Sequence, residues 1–259
     1  MPELRSTLSF FLDILLRPSR AAGRLQEGDA ALQDSLRIFL AYMASAVVFY
    51  TLKPAGFPPL GPDAPLPMPG QEGLVFWVKV QAWSPVLAGL WVLLTGSFAK
   101  LLTGGRLPMR LFASGVAALL PLLLVLFYTN TRMPRWTLGA GLLALCAAAA
   151  PAVRSVPGSS WRAYASWLMA VNSAAIALLP LFTCAVLLGS ALLYQSLEVA
   201  LLFWTLGLAT YGTSRIAGVP AARAFCAVFL GLLSQVVFVY AFYLLGILPK
   251  AVLKALMAA

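Results

Sequence analysis

The feature that most constrains this chain is a series of apolar runs at about 36–52, 80–101, 111–129, 136–153, 166–194, 197–214 and 224–248, separated by short charged or proline-bearing breaks. At about 1.5 Å of rise per residue, roughly 20 apolar residues cross a hydrocarbon core about 30 Å thick. Backbone polar groups in lipid must pair within their own segment, so runs of this length are helices. Of the 259 residues 61% are apolar and 10% charged, against about 45–50% and about 25% in soluble domains, which excludes an ordinary water-soluble enzyme. The expected fold is all-α, a polytopic transmembrane bundle of about seven spans. The 52 residues between Arg162 and Arg215 are too many for one crossing, and Tyr194-Gln195-Ser196 is the most polar place to divide them.

Residues 1–34 carry dense mixed charge and belong outside the hydrocarbon. Leu4, Leu8, Phe11 and Leu15 recur at helical spacing, widened by Phe10, Leu12 and Ile14, as in an amphipathic helix lying in the membrane interface. Pro18 should interrupt that helix and open a second short one toward Leu25. Asp13 and the lack of a small-residue cleavage pattern make this a poor signal peptide, so the segment is expected to be retained. Residues 35–250 then form the transmembrane domain and 251–259 a short tail. A proline-rich extramembrane loop spans 53–79; its Pro59-x-x-Pro62 and Pro62-x-x-Pro65 repeats read as an extended spacer ahead of a docking motif.

Net charge is +10, but the cations sit at the ends of apolar runs, where they set orientation and meet anionic head groups rather than nucleic acid. With alternating spans, one side holds Arg5, Arg17, Arg20, Arg24 and Arg37, then Lys100, Arg106 and Arg110, then Arg154 and Arg162, then Arg215 and Arg223. The other holds half as many: Lys53, Lys79, Arg132, Arg135, Lys250 and Lys254. That imbalance points to a cytoplasmic N-terminus. Joining 130–162 into one loop gives six spans and ten cations against eight, a weaker bias.

Chemistry-bearing motifs are scarce. The sequence has no histidine, which removes serine–histidine triads, HExxH zinc sites and histidine-ligated haem. Cys146, Cys184 and Cys226 fall in separate apolar runs without CxxC spacing and read as small buried side chains. Gly139-x-Gly141-x-x-Ala144 matches a dinucleotide fingerprint in letters alone, since no strand pattern precedes it and no acid follows. No glycine precedes a lysine as in a phosphate-binding loop, and no GxSxG elbow occurs. Neither an enzyme, a cofactor nor a metal is expected.

The candidate contacts are therefore with lipid and with other helices. Arg17, Arg20 and Arg24, with Leu8, Phe11 and Leu15, are the expected membrane-surface or partner contacts. Asn172, Gln235 and Glu198 are the possible intramembrane polar contacts. Glu198 should sit in the first turn of a helix capped by Ser196, where the dipole favours negative charge. Pro85, Pro121 and Pro180 should bend their spans, which either lines a cavity or is structural, while Ala140, Ala144 and Ala148 give one face smooth enough for close helix contact.

Three segments together resemble the Yip-type family, the Ypt/Rab-interacting multi-pass membrane proteins and their bacterial relatives. Ile14-Leu-Leu-Arg-Pro18-Ser-Arg-Ala-Ala-Gly-Arg-Leu25 is similar to the family's proline-containing lead-in. Leu90-Trp-Val-Leu-Leu-Thr-Gly-Ser-Phe-Ala-Lys100-Leu-Leu-Thr-Gly104-Gly105, then Arg110 and Leu120-Pro121, resembles its helix, double-glycine turn and proline-containing helix. Gly212-Thr-Ser-Arg-Ile-Ala-Gly218-Val-Pro-Ala-Ala-Arg223-Ala224 is similar to its final loop and helix. The resemblance implies about five spans, no catalytic residues, and a role in membrane organisation, trafficking or partner binding, in a bacterial inner membrane here. The alternative is a permease or carrier for a lipid or another mostly apolar molecule.

Overall fold

The computed structural model describes residues 2–25, 29–54, 57–58, 73–131 and 133–258, without the side chains of 2–4, 29, 257 and 258. Most of the proline-rich loop, including both PxxP repeats, therefore lies outside the described residues, as does the side chain of Leu4. Every regular element described is helical: α1 (Pro2–Leu16), α2 (Pro18–Arg24), α3 (Asp29–Leu52), α4 (Leu74–Gln81), α5 (Ser84–Leu101), α6 (Leu107–Asn130), α7 (Arg135–Arg154), α8 (Gly158–Asn172), α9 (Ala175–Leu187), α10 (Ala191–Ala217), α11 (Ala221–Leu244) and α12 (Lys250–Ala258).

Among the described residues seven helical segments are long and apolar enough to cross a membrane: Ala30–Leu52, Leu74–Leu101, Leu107–Asn130, Arg135–Arg154, Gly158–Leu187, Ala191–Ala217 and Ala221–Leu244. The chain is a multi-pass membrane protein with an all-α bundle. Two spans are composite: α4 and α5 are separated at Ala82–Trp83, and α8 and α9 at Ser173–Ala174. Many large apolar side chains on the spans, such as Leu123, Phe127, Leu187 and Phe203, point outward, as expected where the surrounding solvent is lipid.

The central pair is α5 and α11, flanked by α6, α8 and α10, with α3 against α8 and α7 on the side of α6 and α5. Close approach between them depends on small residues. A side chain at Gly212 would collide with the indole of Trp167, whose Nε1 donates to the Leu208 carbonyl at 2.8 Å. Ser35 likewise ties α3 to α8, its hydroxyl lying 2.7 Å from the Ser166 carbonyl.

Several expectations are corrected. The division of the long apolar stretch falls at Leu188–Ser190, not at Tyr194–Ser196, because Gly189 adopts φ +63°, which a polar L-residue cannot do as cheaply. The first span is longer than 36–52, since α3 begins at Asp29, and the second begins inside the expected loop 53–79, since the chain is helical from Leu74. The tail after residue 250 is a helix, α12, with Val252 and Ala255 packed beside Trp77 and Val80 of α4. Pro85 bends nothing, because it occupies the first turn of α5, where no intrahelical hydrogen bond is lost. Pro121 is buried within α6, whereas Pro180 of α9 faces outward. Ala140, Ala144 and Ala148 also face outward; α7 turns Leu138 and Leu142 inward instead. Cys146 and Cys184 are exposed rather than buried, and Cys226 is half-buried.

Candidate membrane-interface surface

Alternating spans place α1, α2 and the connections at 102–106, 155–157 and 218–220 at one end of the bundle, here the N-terminal end. At 100° per residue the two faces of α1 separate cleanly. Phe10, Phe11, Ile14 and Leu15 turn toward the bundle and are buried, while Leu8, Leu12 and Leu16 turn outward at 55, 45 and 73% exposure. The structure thus splits the expected stripe: Leu8 is presented to the surroundings, but Phe11 and Leu15 are core residues. The periodicity located the helix correctly, yet a helix apolar over more than half its circumference has two candidate inner faces.

The charged residues choose between them. Asp34, 5% exposed at the start of α3, accepts hydrogen bonds from Thr7 Oγ1 at 2.6 Å and Ser6 Oγ at 3.2 Å. It also pairs with Arg24 at 3.8 Å and Arg37 at 3.7 Å. Arg24 reaches Asp13 at 3.9 Å, donates to Ser6 and Ser9, and lies over the Phe10 ring at 5.1 Å. A nearly buried carboxylate needs such partners, so this network fixes α1 and α2 against α3. Arg24 is therefore a bridge inside the fold rather than a head-group contact. Arg17 and Arg20 are exposed, Arg20 with a loose pairing to Asp13 at 3.6 Å. The outward surface carries Arg5, Leu8, Leu12, Leu16, Arg17 and Arg20, an apolar strip flanked by cations.

A second arginine acts within the same end. Gly104 and Gly105 both take positive φ, 69° and 61°, and turn the chain sharply between α5 and α6. Arg223, in the first turn of α11, donates through Nη1 to the carbonyls of Leu102 and Gly104 and through Nη2 to that of Gly105, all at 2.8 Å. It satisfies carbonyls that the end of α5 leaves open.

At the opposite end, Ser190 caps α10 by accepting from the Leu193 amide at 3.3 Å. Ser196 is thus inside the helix, donating to the Leu192 carbonyl, and Glu198 lies two turns in rather than in a first turn. Across from it Lys53, just past α3, donates to Tyr194 Oη at 3.3 Å and sits over the rings of Tyr50 and Tyr194 at 5.2 and 5.0 Å. Burial lowers the Lys53 amine below its ordinary basicity, and the charge of Glu198 partly restores it. Phe57 and Phe182 meet Tyr194 edge-on at 5.4 and 5.1 Å. Gln235 Nε2 donates to the Leu87 carbonyl at 3.2 Å, joining α11 to α5, while Asn172 closes α8 half-buried. Glu198, Gln235 and Asn172 are not brought to one site.

Among the described residues no group of three or more histidine, cysteine or acidic side chains could hold a metal ion. Comparison with protein families, with curated proteins and with solved structures finds no match to this chain.

Proposed function

We propose that this chain is a non-enzymatic scaffold of the membrane interface, of Yip-type character, whose N-terminal end faces the cytoplasm in a bacterial inner membrane. The observation that carries the reading is the outward strip Leu8–Leu12–Leu16 flanked by Arg5, Arg17 and Arg20, on a helix anchored to the bundle through Asp34. Apolar side chains at head-group depth insert, and nearby cations each add about 1 kcal/mol of attraction to an anionic leaflet. The orientation rests on the cations, which cluster at the N-terminal end two to one. The segments that carry the resemblance lie at this same end: Ala22 and Leu25 of the lead-in line one cavity with Ile216 of the final segment, and Arg223 of that segment grips the double-glycine turn. Such a surface organises lipid or a membrane-protein partner without chemistry of its own.

The test uses the full chain in nanodiscs of brominated lipid, with Cys146, Cys184 and Cys226 replaced by Ala so that a thiol fluorophore attaches only at Leu12→Cys. Quenching that falls when Arg5, Arg17 and Arg20 are replaced by Gln is the expected result; a label that stays unquenched in anionic and neutral lipid alike overturns the reading. Crosslinking in native membranes then identifies neighbouring proteins.

A second reading, a carrier for a lipid or another mostly apolar molecule, draws on the two composite spans. Breaks at Ala82–Trp83 and Ser173–Ala174 interrupt the helical ladder within a span, as in discontinuous carrier helices, although the four amides there still find carbonyls in the preceding turn. Lipid or solute flux into liposomes containing the purified chain distinguishes it.

A further inference from the structure

A cavity of about 330 Å³ opens at the N-terminal end between α2, α8 and α10, lined by Ala22, Leu25, Ser160, Arg162, Arg215 and Ile216 among others. Its size falls within the range of ligand pockets, about 300–1,000 Å³. Two arginines from different spans, Arg162 and Arg215, line it together with Ser159 and Ser160, and both arginines are exposed at its mouth. Arg215 is held in place by its own helix: Nε donates to Tyr211 Oη at 3.3 Å and the group lies over the Tyr211 ring at 5.4 Å. Arg162 also has an interaction of its own, but a guanidinium carries five N–H donors in a fork, enough for more than one acceptor. The first turn of α8 adds amides that have no acceptor within the helix, and its N-cap residue, Pro157, supplies no capping side chain.

We infer that this cavity binds a phosphate ester anion, and that the anion is the head group of a membrane phospholipid. Arginine forks and serine hydroxyls are the donors that phosphate oxygens accept from, arginine in bidentate fashion. The walls contributed by Ala22, Leu25 and Ile216 are apolar, which suits a ligand whose glycerol and acyl chains continue into the bilayer and gives a free phosphate ion nothing. The depth agrees, because the cavity lies where α8 enters and α10 leaves the membrane. The site is separate from the outward strip of α1 and does not depend on that strip touching lipid.

Native mass spectrometry of the detergent-purified full chain reads the retained lipid. Phosphatidylglycerol is expected to be retained about tenfold over galactosyl diacylglycerol, which has no phosphate, and R162Q and R215Q each to lower that preference severalfold. Ala163 also lines the cavity, and Ala163→Phe, which fills it without altering charge, should abolish the preference at an unchanged unfolding midpoint. Replacing Arg5, Arg17 and Arg20 should leave it intact, which separates this site from the proposed surface. Phosphatidylglycerol retention unaffected by R162Q, R215Q and Ala163→Phe together overturns the inference. Displacement by millimolar inorganic phosphate overturns the lipid assignment and assigns the anion to a soluble source.

Discussion

At the N-terminal end of the bundle an amphipathic helix, α1, is fastened by a buried carboxylate and its cationic and hydroxyl partners; at the other end an amphipathic helix, α12, is fastened by aliphatic and aromatic side chains around Trp77, Val239 and Leu248. Both devices close an end of the same bundle, but they respond differently to their surroundings. A charge network is directional and fails when one partner is removed, because the rest stay desolvated. An apolar seam can repack and can exchange protein neighbours for lipid at small cost. The N-terminal end is thus the rigid one, suited to presenting a fixed surface.

The largest effect expected is at the N-terminal half. Gly212→Ala drives a methyl group into the Trp167 indole and breaks its bond to Leu208, so the unfolding midpoint in mixed detergent micelles should fall by the equivalent of about 3 kcal/mol. Asp34→Ala should cost about 2 kcal/mol, moderated because Arg37 keeps water contact, and should hasten trypsin cleavage after Arg20 and Arg24. Arg223→Ala, which leaves three carbonyls without a donor, should cost about 1–2 kcal/mol by the same measurement. At the opposite end Trp77→Leu removes a ring stacked on Tyr50 at 4.8 Å and should cost only about 0.5–1.5 kcal/mol. Equal losses for Asp34→Ala and Trp77→Leu would erase the contrast between the ends.

The smallest effect is a pH slope. The folded state holds the Lys53 amine below its ordinary value of 10.5, so the unfolded chain binds more protons as pH climbs toward that value. Stability should therefore rise with pH through the alkaline window below 10.5, and Lys53→Met should flatten the rise. An unchanged slope in Lys53→Met would mean that the pH dependence belongs to other groups.

The seven spans were legible because lipid imposes length and apolarity on every crossing, and α1 and the Pro18 break were legible from spacing and proline chemistry. What escaped was decided by single backbones and pairings. Gly189 set a turn that a more polar triplet six residues on seemed to offer, and so moved Glu198 deep into α10. Which face of α1 is inward depended on Asp34, too distant in sequence for periodicity to register. The role of Arg223 had a trace in the sequence, a glycine pair and an arginine within the segments carrying the resemblance, but not the pairing between them. Residues 251–258, expected as part of a short tail, belong to α12, whose sequence trace is that Lys250 and Lys254 share one helical face opposite Val252 and Ala255.

The grip of Arg223 on the double-glycine turn also orders the birth of the protein. The hairpin of α5 and α6 leaves the ribosome early, yet the guanidinium that completes its bend is encoded more than a hundred residues later. Until α11 is threaded into the bilayer, the carbonyls of that corner have only water as a donor.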